Sequence, residues 1–301
     1  MAAGPQLPAP ELPDWLEEQL PFERYMIEVS DGLRMHVMEQ GEGTPVLLFH
    51  GNPTWGYLYR RVAAELAGEP YRLIMPDLIG FGFSDRAPRR RDYNLSNHTR
   101  WMGELVGWLE LGRATFVVQD WGGPIGLHAA HQHPGLMTGL VVMNTSIGPP
   151  KPGFKPTLFH RVFSTSLGEW AARWFSLPHA AMHFAQGDRR SVGRTVRKAY
   201  TYPLKGRRGH EAVVEAVRMV PQDMDHPSIP LLEEAGRAAE LFDGPKAIVW
   251  GDKDPVLGKL RRRVTRQLPG AEVTVTDAGH FLQEEVPAEI AAAIRSVVAR
   301  S

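Results

Sequence analysis

Short, continuous apolar runs alternate along this chain with longer segments in which apolar residues recur at helical spacing. Eight runs have the length and composition of strands, at residues 25–29, 35–39, 46–50, 72–76, 115–119, 140–144, 247–251 and 273–276. Residues 46–49 and 116–118 are apolar throughout, as is typical of strands buried on both faces of a parallel sheet. Helical spacing covers residues 58–67, 95–109, 123–132, 257–267 and 288–299. This alternation predicts an α/β fold: a mostly parallel eight-stranded sheet flanked by helices, whose first two strands form an antiparallel edge.

The alternation is interrupted once, between Asn144 and Pro245. The intervening segment is rich in Pro and Arg and has helical patches at residues 167–175 and 191–200, but no run that predicts a buried strand. We therefore expect residues 146–230 to form a helical cap inserted into a core that consists of residues 1–145 and 231–301.

Charge and composition exclude several classes of function. Lys plus Arg and Asp plus Glu both number 34, so the formal net charge is zero, which argues against a nucleic-acid partner or an anionic membrane. The absence of cysteine excludes disulfides and cysteine-ligated metals. The sequence has no signal-peptide pattern and no apolar stretch long enough to span a membrane, so we expect a cytoplasmic protein.

The segment Gln119-Asp-Trp-Gly-Gly-Pro124 follows a predicted buried strand and leads into a predicted helix. This sequence of strand, polar residue, glycines and helix resembles the nucleophile elbow of α/β-hydrolases, which is usually written Gly-x-Ser-x-Gly. Here Asp120 occupies the nucleophile position, and the elbow contains no serine. The glycines suit a tight turn in which the backbone packs closely and φ can be positive.

An aspartate at this position indicates a different chemistry from a serine. A carboxylate opens a saturated carbon by in-line displacement and forms an alkyl-enzyme ester, whereas its attack on an ordinary ester carbonyl would give only an anhydride. Because the carboxylate needs no base to activate it, a histidine is free for the second step, in which it activates water against the ester.

Two loops near the C-terminus provide the other catalytic candidates. His280 stands in a glycine-containing loop after the last predicted strand, and Asp254 lies just past the strand before it. The chain order nucleophile, acid, histidine is the order found in α/β-hydrolases, so Asp120, Asp254 and His280 are the predicted triad. Asp252 is the alternative acid, but Asp254 lies further past the strand.

A third loop, His50-Gly-Asn-Pro-Thr-Trp55, also follows a predicted strand. Such a loop supplies a backbone N–H to an oxyanion hole. The side chain of Asn52 adds an amide donor, and Trp121 adds an indole N–H. Two neutral donors suit a large, weakly basic anion such as chloride or bromide, and that leaving group needs no proton. We predict that Trp121 and Asn52 bind halide.

Together these segments resemble the haloalkane dehalogenases over nearly the whole chain. The resemblance is carried by Phe22-Glu-Arg-Tyr25, His50-Gly-Asn-Pro-Thr-Trp55, Pro76-Asp-Leu-Ile-Gly-Phe-Gly-Phe-Ser-Asp85, Gln119-Asp-Trp-Gly-Gly-Pro124 and Gly279-His-Phe-Leu-Gln-Glu284. It implies the α/β-hydrolase fold, a small halogenated aliphatic substrate with water, halide ion as a product, and no metal or organic cofactor. Carried over by position, Asp120 resembles the nucleophile of the family, His280 its base and Trp121 its first halide ligand.

Two features vary within that family. Some members place the acid after the strand that precedes the cap, but here that strand ends at Asn144 and no carboxylate follows it, which favours Asp254. The second halide ligand is either the asparagine of the His-Gly-Asn-Pro loop or a cap tryptophan. The presence of Asn52 favours the first arrangement, and Trp170 or Trp174 would provide the second.

Other functions share this elbow. An epoxide hydrolase uses the same aspartate together with cap tyrosines that assist the leaving oxygen, and Tyr200 and Tyr202 lie in the predicted cap. A cofactor-independent oxygenase of the luciferase type has a similar constellation, although little in this sequence favours it. A non-catalytic ligand receptor on the same fold is the third alternative, and the complete predicted triad argues against it.

Overall fold

A single mixed sheet organises the molecule. The computed structural model describes residues 5–151, 153–154, 179, 182–206 and 208–301. Its strands are β1 (Leu7–Pro8), β2 (Glu23–Val29), β3 (Leu33–Gln40), β4 (Thr44–Phe49), β5 (Tyr71–Pro76), β6 (Ala114–Gln119), β7 (Met137–Met143), β8 (Lys246–Gly251) and β9 (Glu272–Thr276), in the sheet order β1-β2-β3-β5-β4-β6-β7-β8-β9. Strands β1, β2, β3 and β5 pair antiparallel, and all other neighbours pair parallel.

The sheet has nine strands among the described residues, so the predicted number of eight is wrong. All eight predicted runs are strands, and β2 and β3 form the expected antiparallel edge. The additional strand is β1, whose two residues pair with β2, Leu7 opposite Met26. Two residues beside prolines are too few to show the alternation of apolar and polar positions that predicts a strand. Strand β1 is recognisable only from its pairing with β2.

Helices cover both faces of the sheet. They are α1 (Asp14–Glu17), α2 (Arg60–Glu65), α3 (Leu95–Trp108), α4 (Gly122–Gln132), α5 (Arg194–Thr201), α6 (Glu211–Arg218), α7 (Ile229–Glu240), α8 (Arg261–Gln267) and α9 (Pro287–Val298). Local sequence accounts for several starts: Asn94 caps α3 by accepting a hydrogen bond from the N–H of Asn97, and a proline lies in the first turn of α7 and of α9. None of the helices in the described part of the chain has the length and apolar character that a transmembrane helix needs.

Two hydrophobic clusters lie on opposite faces of the sheet. Side chains alternate between the clusters along β6: Phe116 and Val118 join the cluster that contains α3, α4 and α7, whereas Val117 joins the cluster that contains α2 and α9. All six residues of β6 are buried. The apolar runs of the sequence therefore correspond to strands that are covered on both faces.

The segment between β7 and β8 contains α5, α6 and α7 among its described residues. Helix α7 packs against α4 of the core, where His128 Nε2 lies 2.9 Å from Glu234 Oε2. The predicted cap boundary at residue 230 thus falls at the start of α7. The helical patch expected at residues 167–175, with Trp170 and Trp174, lies outside the described residues, and the cap stays a prediction.

The parallel strands bring their carboxyl ends to one edge of the sheet. Strand β4 leads into His50, β6 into Asp120 and β7 into Asn144, while the loops after β8 and β9 contain Asp254 and His280. In open α/β sheets this edge is where ligands bind.

Candidate active site

Asp120 lies in a sharp turn between β6 and α4. Its φ is +48°, a left-handed conformation that is uncommon for a residue other than glycine. Neighbouring segments hold this turn: the N–H of Asp120 donates to the carbonyl of Asn144 at 3.1 Å, and the hydroxyl of Thr145 donates to the carbonyl of Asp120 at 2.6 Å. A Cβ on Gly122 would collide with the carbonyl oxygen of Phe49. The strained backbone and its supports are typical of a functional elbow.

His280 lies between two carboxylates. Its Nε2 is 3.5 Å from Oδ2 of Asp120, and its Nδ1 is 2.8 Å from Oδ2 of Asp254. Both His280 and Asp254 are buried. The structure therefore brings the three residues of the predicted triad together, with one imidazole nitrogen facing each acid.

Asp254 is held by further donors that orient it toward the histidine. Its Oδ2 accepts a hydrogen bond from Nδ2 of Asn144 at 2.8 Å, and its Oδ1 accepts one from the N–H of Val256 at 2.7 Å. The alternative acid, Asp252, instead pairs with Arg261 in a partly exposed position, through contacts of 2.8 and 3.1 Å. The geometry therefore favours Asp254 over Asp252 as the partner of His280.

The charges in this cluster shift the pKa values of His280 and Asp254. Burial alone would lower the pKa of His280, but the carboxylates of Asp254 and Asp120 outweigh it and raise the pKa to about 10. Burial likewise works to raise the pKa of Asp254, but the charge of His280 and the hydrogen bonds from His280, Asn144 and Val256 outweigh it, so the pKa is lowered. In the resting protein, the cluster therefore favours an imidazolium between two carboxylates.

Asn52 and Trp121 flank the nucleophile candidate. The backbone N–H of Asn52 donates to Oδ1 of Asp120 at 2.7 Å. The side-chain Oδ1 of Asn52 is buried and has no hydrogen-bond partner among the described residues. Trp121 follows Asp120 directly; it is half-buried and packs against the core. The unpaired atom is the acceptor end of the Asn52 amide, whereas a halide ion would be bound by its donor end, Nδ2.

Gly51 is the reason that this loop can lie so close to Asp120. A Cβ at position 51 would collide with Oδ1, Cβ and Cγ of Asp120. The preceding His50 fixes the loop, because its Nδ1 lies 3.0 Å from the carbonyl of Gly51 and its Nε2 accepts the N–H of Leu78 at 2.9 Å. Burial lowers the pKa of His50, which keeps the ring neutral and able to accept that bond.

Sequence reasoning missed the role of Asn144. Besides its bond to Asp254, its side chain exchanges two hydrogen bonds with the backbone of Gly251, at 2.8 and 2.9 Å, and its carbonyl accepts the N–H of Asp120. Asn144 thus joins the ends of β6, β7 and β8. In the sequence, Asn144 is a polar residue at the end of a predicted buried strand. That position was considered only as a possible place for the acid of the triad.

Tyr200, one of the two tyrosines considered for an epoxide hydrolase, has its hydroxyl engaged elsewhere. The hydroxyl of Tyr200 donates to Oε1 of Glu284 at 2.6 Å, and Arg60 forms two further hydrogen bonds to the same carboxylate. The ring of Tyr202 packs edge-on against Trp15, with centroids 5.5 Å apart. The hydroxyl of Tyr200 is therefore committed to a buried ion-pair network rather than free to protonate a leaving oxygen.

Comparison with known proteins relates this chain to the α/β-hydrolase fold family and to haloalkane dehalogenases. The α/β-hydrolase fold family matches residues 44–287. A haloalkane dehalogenase from Mycobacterium marinum (strain ATCC BAA-535 / M) is 35% identical over 287 residues, which covers 92% of this chain and 94% of the relative. A cis-3-alkyl-4-alkyloxetan-2-one decarboxylase from Xanthomonas campestris pv. campestris is 32% identical over 289 residues, with coverages of 91% and 95%. The structure of the haloalkane dehalogenase DpaA from Paraglaciecola agarilytica NO2, described as tetrameric, aligns with a TM-score of 0.78 at 26% identity and covers 97% of this chain and 98% of that one.

Proposed function

Because the chain belongs to the α/β-hydrolase fold family, and within it to the haloalkane dehalogenases, we propose that it hydrolyses haloalkanes to an alcohol, a halide ion and a proton. The matched family and the 35% identical relative confirm the family resemblance expected from the motifs. The observation that carries the proposed activity is the carboxylate of Asp120 at the elbow, 3.5 Å from a histidine whose other nitrogen faces Asp254. In a serine hydrolase, the nucleophile at that position is a hydroxyl and not a carboxylate.

In the first step, the Asp120 carboxylate attacks the saturated carbon that bears the halogen. The new C–O bond forms as the carbon–halogen bond breaks, and the halide leaves with its electron pair. We assign the indole N–H of Trp121 and the side-chain amide of Asn52 to the departing anion. This step needs no proton transfer, so His280 takes no direct part in it.

In the second step, His280 removes a proton from water, which attacks the carbonyl carbon of the Asp120 ester. The backbone N–H of Asn52, already 2.7 Å from Oδ1 of Asp120, supports the oxyanion that forms. The intermediate collapses as the imidazolium of His280 gives its proton to the leaving oxygen, which departs as the alcohol. The carboxylic acid left at position 120 then loses its proton to solvent, which restores the carboxylate. Asp254 stabilises the imidazolium that exists during the step.

Esterification changes the protonation of the base. The ester carries no charge, so one of the two carboxylates that raise the pKa of His280 is lost when the alkyl-enzyme forms. The imidazolium then releases its proton more readily, and the neutral ring is available as a base. A small halogenated aliphatic substrate, water and halide ion are the partners that this reaction requires.

The test is halide and acid release from 1-bromobutane and 1,2-dibromoethane. The wild type is expected to turn over continuously. His280→Phe is expected to release up to one bromide per active site and then stop with an alkyl adduct on Asp120, whereas Asp120→Ala releases none. Sustained turnover by either variant would contradict the assigned roles.

A second candidate is decarboxylation of a 3,4-dialkyl oxetan-2-one, because a relative with that activity is 32% identical over nearly the whole chain. Attack of Asp120 on the saturated ring carbon that is bonded to the ring oxygen would open the ring and leave a free carboxylate. Loss of CO₂ with departure of the Asp120 carboxylate would then give an alkene. This route needs no water.

Product analysis separates the alternatives. Alkene from a cis-3,4-dialkyl oxetan-2-one without bromide from any haloalkane would favour the decarboxylase. Diol from styrene oxide, again without bromide, would favour an epoxide hydrolase. Tight ligand binding with no product at all would favour a receptor.

A further inference from the structure

The loop that carries His280 has little structure of its own. It follows β9, and its backbone groups bond to other segments. The N–H of His280 donates to the carbonyl of Ala185 at 2.7 Å, and the carbonyl of His280 accepts Nε2 of Gln119 at 3.1 Å. Because a loop without regular hydrogen bonds takes its shape from its partners, the position of the imidazole depends on these contacts.

Gln186 binds the residue after the histidine through both ends of its amide. Its Oε1 accepts the N–H of Phe281 at 2.9 Å, and its Nε2 donates to the carbonyl of Phe281 at 3.2 Å. Gln186 is buried and lies in the segment predicted to be the cap. Together with Ala185, it fixes the backbone of two consecutive loop residues.

Glu285 binds the other side of the loop. Its Oε1 accepts the N–H of Gly279 at 2.8 Å, directly before the histidine, and the N–H of Gly187 at 3.1 Å. Its Oε2 accepts the N–H of Asp188 at 2.6 Å. One carboxylate thus connects the histidine loop to residues 187–188.

The two segments also touch through their backbones. A Cβ on Gly279 would collide with the carbonyl of Ala185, and a Cβ on Gly187 would collide with the carbonyl of Asp277. Glycine at both positions therefore permits a close approach that larger residues would prevent. The contacts of Gln186 and Glu285 hold the segments at that separation.

We propose that Gln186 and Glu285 are positioning residues that hold His280 at the ester carbonyl, so that residues 185–188 act as part of the histidine loop. This inference rests on the proposed two-step hydrolysis. Neither side chain touches the nucleophile in the structure. Their effect is therefore confined to the step that uses His280, which is hydrolysis of the ester.

The test uses Gln186→Met, which keeps the length of the side chain but removes both bonds to Phe281, and Glu285→Gln, which replaces an acceptor oxygen with a donor. The matched controls are Gln222→Met and Glu289→Gln, the same substitutions at two exposed residues. Rapid mixing with 1,2-dibromoethane measures the bromide burst and the steady-state rate separately. We expect a full burst amplitude and an unchanged burst rate in both variants.

Steady-state turnover is expected to fall by about 100-fold in both variants, the cost of a displacement near 1 Å. Mass spectrometry should detect the ester on Asp120 accumulating. Controls should match the wild type. A burst that shrinks in proportion to turnover would show that the residues only support folding, and wild-type turnover in the variants would show that they do not position the base. Either outcome overturns the inference.

A second measurement does not depend on haloalkane chemistry. An imidazole displaced from Asp254 and Asp120 loses the charges that raise its pKa. Imidazole NMR titration of the resting protein should therefore find a lower His280 pKa in Gln186→Met than in Gln222→Met. Equal values would overturn the positioning role, whereas a lower value with no bromide from the wild type would leave positioning supported and refute the proposed reaction.

Discussion

Replacing Asp120 with asparagine should lower the pKa of His280, because asparagine has the shape of the carboxylate without its charge. Two unit charges 3.5 Å apart interact by about 1.2 kcal/mol at the dielectric constant of water and by about 4.7 kcal/mol at an effective constant near 20. At about 1.36 kcal/mol for each pH unit, this corresponds to a change in pKa of about 0.9 to 3.5. The side chains of His280 and Asp120 are only 5% and 15% exposed, which favours the upper half of that range.

We therefore expect the pKa of His280 to fall from about 10 in the wild type to about 7 or 8 in Asp120→Asn. The assay is a pH titration of imidazole nitrogens by long-range proton–nitrogen NMR, with the His280 signal identified by its loss in His280→Phe. The control is Asp252→Asn, which removes a nearby carboxylate that pairs with Arg261 instead. An equal pKa in Asp120→Asn and the wild type would refute the arrangement in which both carboxylates act on one ring.

Three further predictions concern the loop, the ion-pair network and the pH dependence of stability. Gly51→Ala places a Cβ against Asp120 and should lower turnover by about 100-fold while circular dichroism shows an intact fold; wild-type turnover would contradict the close approach. Tyr200→Phe leaves Glu284 without one donor and should cost about 1–3 kcal/mol of unfolding free energy in urea while leaving bromide release unchanged; a loss of bromide release at unchanged stability would contradict a purely structural role of Tyr200. Because the folded pKa of His280 is above its ordinary value of 6.5, its stabilising contribution is complete below pH 6.5 and is lost as the pH rises to about 10. The stability difference between the wild type and His280→Phe should therefore shrink from pH 6 to pH 10, and a constant difference would contradict the raised pKa.

The sequence predicted the sheet well because its strands are covered on both faces. All six residues of β6 are buried, and such a run of apolar residues is visible without knowledge of its neighbours. Strand β1 was missed because Leu7 and Pro8 are extended only through pairing with β2. Helix α6 lies in the segment predicted to form a helical cap, but its bounds were not predicted, and seven of its eight residues are buried although the segment is rich in charged residues. In both cases tertiary contacts decide the local structure.

The same distinction applies to the site. Asp120, His280 and Asp254 each follow a strand whose position could be predicted, and strands of a parallel sheet end at a common edge, so their proximity follows from the topology. The contacts of Gln186 and Glu285 could not be predicted in this way. Gln186 lies 95 residues from Phe281 in the chain, and no periodicity relates a buried amide to a loop that distant. Long-range polar contacts of single residues leave no pattern in one sequence.

The identity of the elbow residue also determines when the histidine can act. A serine hydroxyl beside His280 would be neutral, so only Asp254 would raise the pKa of the ring, and the ring could accept a proton from the nucleophile at once. With Asp120 in that place, a second negative charge holds the ring protonated in the resting protein. In the proposed mechanism, alkylation removes that charge, so the ring releases its proton more readily and can act as a base toward water. In that mechanism, the charge of the nucleophile thus supports the order of the two steps: displacement uses the carboxylate, and the loss of its charge on alkylation prepares the ring for hydrolysis.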